Sequence, residues 1–346
     1  LLLESRFMML SNGPHDLRGR HIFLTGGTGC VGRTLLDYLA CCEAAYGGLR
    51  VSVLTRNAPA FRARYPVQKQ YLWLTTIDGS LSNLPDLAED TTDVIHAAAD
   101  THLNIGYAAW IDQIVNGTRT LLDASFRAGV QRFLLVSSGA VYGPQPVSLS
   151  HINEDYRGAP DSLLPGSTYG QAKRVAEQLC TIAKHEHGLE TVIARLFAFG
   201  SVHLPHDGRY ALGSFVRDAL ACGSGPIKVA GDGSAVRSYL DGRAMAHALV
   251  VALVSGKAGS AYNVGSEEAV TIAELAKFVR DRLSPDREIV ILGAADNTQR
   301  SRYVPDVSRI AKLGAASRSD LGAVVSDVAG ARPLDKRYSA DAPASG

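Results

Sequence analysis

Four glycines in eight residues, Thr25-Gly-Gly-Thr-Gly-Cys-Val-Gly32, constrain what this chain can fold into more than any other feature. The apolar run His21-Ile-Phe-Leu-Thr25 precedes them and reads as a strand, while Val31, Leu35 and Leu39 follow at helical spacing. The cluster reads as G-x-G-x-x-G through Gly27, Gly29 and Gly32, or equally as G-x-x-G-x-x-G through Gly26, Gly29 and Gly32. Missing side chains permit the tight turn, let the backbone approach a pyrophosphate and allow close helix packing. The helix N-terminus adds free amides and a favourable dipole. The strand–turn–helix setting therefore predicts a dinucleotide-binding turn spanning Gly26, Gly27, Thr28, Gly29, Cys30, Val31 and Gly32, against the blander reading of a structural turn.

Strand-like and helix-like segments then alternate. Arg50-Val-Ser-Val-Leu-Thr55 reads as a second strand and Gln70-Tyr-Leu-Trp-Leu-Thr75 as a third. Asp93-Val-Ile-His-Ala-Ala-Ala99 and Arg132-Phe-Leu-Leu-Val-Ser137 are two more, separated by a helical stretch around 106–128. A helix from Thr168 to His187 leads into the strand Thr191-Val-Ile-Ala-Arg195. Nearly continuous apolar strands alternating with helices predict an α/β fold, a doubly wound parallel sheet covered on both faces. Beyond Arg195, Gly and Pro punctuate shorter segments, and a helix around 241–255 with the strand Ala261-Tyr-Asn-Val264 returns the chain to the main sheet. The expected organisation is a disordered leader over 1–18 and a Rossmann domain over 19–197, completed by about 236–265. A smaller interleaved substrate lobe then covers 198–235 and 266–315, with a disordered tail over 331–346.

Charge narrows what such a fold would bind. With 35 basic and 34 acidic side chains the net charge is +1, which offers no basic field for nucleic acid or an anionic membrane. An anionic substrate must then be held by local arginines. The five cysteines, Cys30, Cys41, Cys42, Cys180 and Cys222, are odd in number and lack a C-x-x-C spacing. Neither a disulfide framework nor a metal site is expected, and a reducing, cytoplasmic location is. The apolar stretch Leu1 to Leu10 is interrupted by Glu4 and Arg6 and is too short to cross a bilayer.

Tyr169-Gly-Gln-Ala-Lys173 sets a phenol and an ammonium four residues apart on one face of a helix. About 30 residues upstream a strand runs into Val136-Ser-Ser-Gly-Ala-Val-Tyr-Gly143. A lysine cation and an oxidised nicotinamide would both favour tyrosinate, lowering the Tyr169 pKa toward neutrality. Tyr169 can then exchange a proton with a hydroxyl while hydride moves to or from the cofactor, with Ser138 hydrogen-bonded to the same oxygen. A Y-x-x-x-K pair alone is common by chance; the ordered set is not. T-G-G-T-G-x-V-G, S-S-x-x-V-Y-G and Y-x-x-x-K together resemble the extended short-chain dehydrogenases/reductases, the NAD(P)-dependent sugar-nucleotide epimerase/dehydratase family, over roughly residues 20–315. The resemblance implies Ser138, Tyr169 and Lys173 as catalytic residues, and a homodimer formed through the helices around 106–128 and 168–187.

Other matches address cofactor and substrate. No acid ends the second strand, where one would bind a ribose 2′-OH; Arg56 stands there, which favours NADP over NAD unless the arginine is merely solvated. Asp78 is placed to bond the adenine amine, or simply opens a turn with Gly79. His96-Ala-Ala-Ala-Asp-Thr-His102 resembles the family's H-x-A-A-x-x-H segment, which implies Ala97, Ala98 and Ala99 beside the cofactor and Thr101 and His102 facing the sugar. His96 itself reads as a packed strand-end residue. Asn116-Gly-Thr118 resembles N-x-x-G-T, whose asparagine is structural. Arg237, in a G-D-G-x-x-x-R segment, and Arg302 resemble the two arginines that grip a substrate diphosphate by bidentate bonds; their alternative is surface pairing.

Several positions depart from the family pattern. Gly139-Ala140 follows Ser138 where 4,6-dehydratases carry Asp-Glu, which argues against water elimination. The strand Ala194-Arg-Leu-Phe-Ala-Phe-Gly200 lacks the usual asparagine of R-x-x-N-x-Y-G-P, Ser201 replaces the proline, and Ser214-Phe215 stands where Asn-Phe often meets the substrate phosphate. The expected activity is oxidoreduction at a sugar carbon, C4 foremost, of a nucleoside-diphosphate sugar. An epimerase is favoured slightly over an NADPH-dependent reductase of a 4-keto sugar. A reductase of non-sugar ketones and a non-catalytic cofactor-binding protein are the remaining alternatives.

Overall fold

The computed structural model describes residues 14–64, 72–99, 106–223, 225–294, 301–315 and 319–330. Seven strands form one sheet: β1 (His21–Thr25), β2 (Arg50–Thr55), β3 (Leu74–Asp78), β4 (Asp93–His96), β5 (Arg132–Ser138), β6 (Glu190–Leu196) and β7 (Ala261–Val264). They lie side by side as β3-β2-β1-β4-β5-β6-β7, and every neighbouring pair is parallel. All five residues of β1 and all four of β4 are buried, as strands covered on both faces require. The order reverses between β1 and β4, so a crevice opens at their carboxyl ends.

Helices cover both faces. On one, α1 (Cys30–Tyr46) and α7 (Gly242–Ser255) bury Leu35, Leu39, Leu249 and Leu253 against Leu24, Val53 and Leu134. The other face is covered by α4 (Gly117–Arg127) and α5 (Thr168–His187), which bring Leu121, Ala176 and Cys180 onto Phe23, Val94 and Leu135. Between them the chain passes through α2 (Ala58–Arg64) and α3 (Tyr107–Ile111), and a π turn at Asp112–Asn116 joins α3 to α4. Gly188 ends α5 at φ 72°, a left-handed cap that only glycine takes without strain, and Lys184, His185 and His187 complement the dipole in the last turn.

A third apolar cluster lies outside the large sheet. It joins α6 (Ala211–Leu220), α8 (Ile272–Leu283) and α9 (Leu321–Ala329) through Phe215, Val216, Leu275, Val279, Val324 and Val328. Beside it, the strands Ala269–Thr271, Val236–Ser238 and Arg302–Tyr303 form a small sheet that sets Tyr303 opposite Arg237.

Two expectations change. The third strand is Leu74–Asp78, not Gln70–Thr75: pairing with β2 runs from Val51↔Leu74 to Thr55↔Asp78, and Leu72 is exposed in a turn before it. The run of apolar letters ending at Thr75 hid a strand whose outer face is half open. Chain order also begins before residue 19, since Leu17 is buried and His15 bonds the Tyr38 hydroxyl at 3.0 Å. Among the described residues no helix is long and apolar enough to cross a membrane, and no group of side chains is arranged to hold a metal.

Candidate active site

The glycine turn uses its four glycines differently. Gly26 adopts φ 75°, and a Cβ there would lie 2.5 Å from the Ala97 carbonyl carbon and 2.6 Å from the Ala98 nitrogen. Gly27 lies against Val53, and a Cβ at Gly32 would come within 2.2 Å of the Gly26 oxygen. Those three are demanded by packing. Gly29 is not: an added Cβ meets only the Gly26 oxygen, at 3.5 Å. Gly29 and Thr28 are exposed, Cys30 and Val31 half-buried, and α1 begins with neither a side-chain cap nor an acid in its first turn. The free amides and the open space over Gly29 fit a pyrophosphate. Packing thus fixes Gly26, Gly27 and Gly32 and leaves Gly29 as the open position of the four.

Around this cradle, Ala97, Ala98 and Ala99 leave β4 beside Gly26, and the Ala98 amide bonds Thr25 Oγ1 at 3.3 Å. His96 is held on both ring nitrogens, by Thr25 Oγ1 at 2.7 Å and Thr118 Oγ1 at 3.1 Å. Burial, and then the Lys173 cation, push its pKa down to about 3, so the ring is neutral and structural. At the end of β2, Arg56 is exposed and makes no hydrogen bond or ion pair among the described residues. Asp78 accepts the Ala58 amide at 2.9 Å and so anchors the start of α2 while remaining exposed at the end of β3. Thr101 and His102 lie outside the described residues.

Ser138 ends β5, and its Oγ accepts the Ala140 amide at 3.2 Å. The same hydroxyl lies 3.5 Å from the Tyr303 phenol. Tyr169 and Lys173 fall one turn apart on the inner face of α5, with the ammonium 6.0 Å from the phenol ring centre. Lys173 Nζ donates to the Val136 carbonyl at 2.8 Å, and burial lowers its pKa to about 8. Trp110 packs edge-on against Tyr169 at 5.9 Å. The three residues singled out in the sequence thus gather at the carboxyl end of β5, two strands from β1 and the glycine turn. Tyr169 departs from expectation in one respect. Burial, and then the neighbouring Tyr303, push its pKa up rather than toward neutrality, so in the protein alone the phenol keeps its proton.

Arg237 and Arg302 part company. Arg237 is half-buried with its guanidinium 6.0 Å from the Tyr303 ring centre, donating to the Val236 carbonyl at 2.8 Å and the Ser301 carbonyl at 3.0 Å. It therefore faces the side of the small sheet that reaches Ser138. Arg302, one residue from Tyr303 and so on the opposite face, donates to the Ser150 carbonyl at 2.7 Å. Ser214 lies on α6 one turn after Tyr210. Ser201 is buried, accepting Thr34 Oγ1 at 3.0 Å and lying 3.5 Å from Cys30 Sγ, which ties the loop after β6 to the cofactor-side helix.

Sequence reasoning missed two features. Tyr303 fills the space over Gly139: a Cβ at Gly139 would lie 2.6 Å from both the Tyr303 oxygen and Phe197 Cζ. Only its place beside Arg302 could have drawn attention to it. Glu177 is buried on the same stripe as Tyr169 and Lys173, and a carboxylate four residues after the lysine on an inner helix face was the available signal.

Residues 22–265 match the NAD dependent epimerase/dehydratase family. The UDP-glucuronic acid decarboxylase 1 of Danio rerio is 35% identical over 199 residues, covering 57% of this chain and 45% of its own length, so the chain spans less than half of that relative. The low-salt glycan biosynthesis protein Agl12 of Haloferax volcanii is 28% identical over 305 residues, covering 85% and 92% of the two chains. Among solved structures, the UDP-N-acetylglucosamine 4-epimerase of Methanobrevibacter ruminantium M1 superposes with a TM-score of 0.75 at 20% identity, covering 90% of this chain and 98% of that one. RMD from Pseudomonas aeruginosa, complexed with NADPH, gives 0.73 at 24%, covering 90% and 97%.

Proposed function

Because the chain belongs to the NAD-dependent epimerase/dehydratase family, we propose that it carries out reversible oxidoreduction at a sugar carbon, C4, of a nucleoside-diphosphate sugar, as an epimerase. The observation that carries this reading is the packing of the Tyr169–Lys173 face of α5 at the end of β5 that bears Ser138, beside a helix whose first amides are uncapped. A dinucleotide seated over Gly29 would supply the hydride acceptor and donor. The protein's own part is the proton. Tyr169, protonated at rest, gives its proton to the substrate oxygen when a ketone is reduced and takes it back when the alcohol is oxidised. Ser138 holds that oxygen, and Lys173 supplies positive charge beneath the phenol.

Gly139 supports oxidoreduction over dehydration. Water elimination needs further acid–base groups next to Ser138, and that space is taken by the Tyr303 phenol and Phe197. Arg237 supports a diphosphate, being half-buried on the same face of the small sheet as Tyr303. Relatives that act on UDP-sugars, among them the decarboxylase and the 4-epimerase, agree with a nucleotide-sugar substrate. Arg56, exposed and unengaged among the described residues, favours the second reading, an NADPH-dependent reductase. Denaturing the purified protein and identifying released dinucleotide by mass spectrometry separates them. Stoichiometric NAD is expected of an epimerase, which regenerates its cofactor in place. An empty protein preferring NADPH to NADH points to the reductase, and a protein that binds neither overturns both. In the NADPH case Arg56→Ala is expected to weaken NADPH about tenfold or more, the worth of one charge-assisted bond, and to leave NADH unchanged in titrations.

Two copies associate in this reading through α3, α4 and α5. Tyr107, Ile111, Phe126, Val175 and Ile182 expose large apolar side chains there, with Val175 and Ile182 seven residues apart on one face of α5. Val175→Glu with Ile182→Glu is expected to yield a monomer in sedimentation; a dimer that survives both changes places the interface elsewhere.

A further inference from the structure

A carboxylate on the inner face of a helix must be held by something. Tyr169, Lys173 and Glu177 follow at four-residue steps on α5, so one stripe presents a phenol, an ammonium and a carboxylate in turn. Lys173 and Glu177 are both buried. Glu177 Oε2 accepts Arg195 Nη2 at 2.7 Å, while Oε1 accepts Arg195 Nε at 3.0 Å and Ser137 Oγ at 2.6 Å. Such a fork is short, charge-assisted and fixed in direction. Arg195 is itself clamped: Nη1 donates to Tyr142 Oη at 2.9 Å, and the guanidinium lies 4.7 Å from the Tyr142 ring centre. Tyr142 Oη donates to Asn263 Oδ1 at 2.8 Å, and Asn263 is anchored on β7. The carboxylate is thus braced from β5, β6 and β7 together.

The charges inside this cluster can be counted. Lys173 and Arg195 are cations and Glu177 an anion, while the buried Glu154 beyond Arg195 is paired with Arg309, which leaves one positive charge beside Tyr169. Other groups near Lys173 do not alter that count. His96 is neutral, the Cys180 thiol is pushed up by burial, and the Tyr142 phenol is held up to about 12. Tyr107, Asp112, Arg119, Asp123 and Arg127 point to solvent from the neighbouring helices. Arg132 sits at the far end of β5, bonded to Glu190.

We propose that Glu177 is a positioning residue for the Tyr169–Lys173 pair, its clamped carboxylate keeping Lys173 an ammonium inside a buried site. The inference rests on reading Tyr169 as the acid/base of the reaction. Burial favours a neutral lysine, and Glu177 is the foremost group opposing it. Remove that carboxylate and the Arg195 guanidinium is left, unpaired, beside the place the carboxylate held on the Lys173 stripe. Remove Arg195 instead and Glu177 acts on Lys173 unopposed.

The two removals should therefore move Lys173 in opposite directions. The chain has eight lysines, few enough to follow by NMR of 15Nζ,13Cε-labelled lysine in the intact protein, with Lys173 assigned by its loss in Lys173→Met. Relative to the unaltered protein, Glu177→Gln is expected to lower the Lys173 titration midpoint by about one pH unit, and Arg195→Gln to raise it by a similar amount. Midpoints that coincide, or that both move the same way as general loosening would produce, overturn the proposal. Should either single variant fail to fold, the double Glu177→Gln, Arg195→Gln protein removes both charges and should titrate close to the unaltered protein. A double-variant midpoint displaced by a full unit overturns the proposal as well. The alkaline limb of hydride transfer, read in the same variants, should follow the NMR midpoints. Midpoints that split while the alkaline limb stays put leave the assignment of Glu177 standing and overturn the acid/base reading of Tyr169 and Lys173.

Discussion

Tyr169→Phe is expected to cut the rate of hydride transfer by about 10²- to 10⁴-fold, the usual worth of a positioned proton donor, while dinucleotide affinity changes little. The ring packs against Trp110, and phenylalanine preserves that contact while removing only the hydroxyl. Stability should hold or rise slightly, because the change deletes a hydroxyl whose burial is costly. Stopped-flow absorbance of the reduced cofactor measures the rate, and calorimetry the binding. A loss of binding equal to the loss of rate would show that Tyr169 serves the cofactor rather than the proton. An unchanged rate would remove it from the reaction. Tyr303→Phe is the natural companion: its oxygen lies near Ser138, at 3.5 Å, but its pKa is held up to about 12 by burial, and its position on the small sheet suits a wall more than a proton donor.

The sheet was readable because a parallel strand buried on both faces leaves little room for polar letters, and β1, β2 and β7 coincide with their apolar runs. β3 was misplaced for the complementary reason. It lies at the sheet's edge with Thr75 and Asp78 exposed, so burial does not dictate its residues, and the apolar letters before it belong to a turn. The proposed trio of Ser138, Tyr169 and Lys173 was legible as a pattern because its spacing is imposed by one helix and one strand end. Tyr303 and Glu177 were not, since each matters through contacts made across the fold. Tyr303 reaches Ser138 over 165 positions of sequence, and Glu177 meets Arg195 from a different layer. Arg302 shows the limit from the other side. A motif can name the residue, but the alternation of a two-residue strand decides that its side chain goes to Ser150 while its neighbour's goes to the site.

The glycine turn permits a sharper experiment, because its glycines serve two masters. Gly32→Ala should destabilise the protein even without cofactor: the new methyl would sit 2.2 Å from the Gly26 oxygen and 2.6 Å from Gly27 Cα, and neither contact can yield without moving the backbone. Overpacking of that kind costs about 1–3 kcal/mol and should lower the melting temperature by several degrees. Gly29→Ala should do the opposite. Its backbone, at φ −81° and ψ 175°, is open to any residue, and its methyl would meet only one oxygen at ordinary contact distance. The apo protein should melt within about a degree of the unaltered one, since surface changes of this sort stay near ±0.5 kcal/mol. Dinucleotide affinity should nonetheless fall about 100-fold, because the methyl enters the space over the free amides of α1 where a pyrophosphate must lie against the backbone. Thermal scans with and without NAD(P) therefore separate packing from binding within one turn. If Gly29→Ala bound the dinucleotide normally, the pyrophosphate would have to sit elsewhere, and the dinucleotide reading of Thr25 to Gly32 would fall with it.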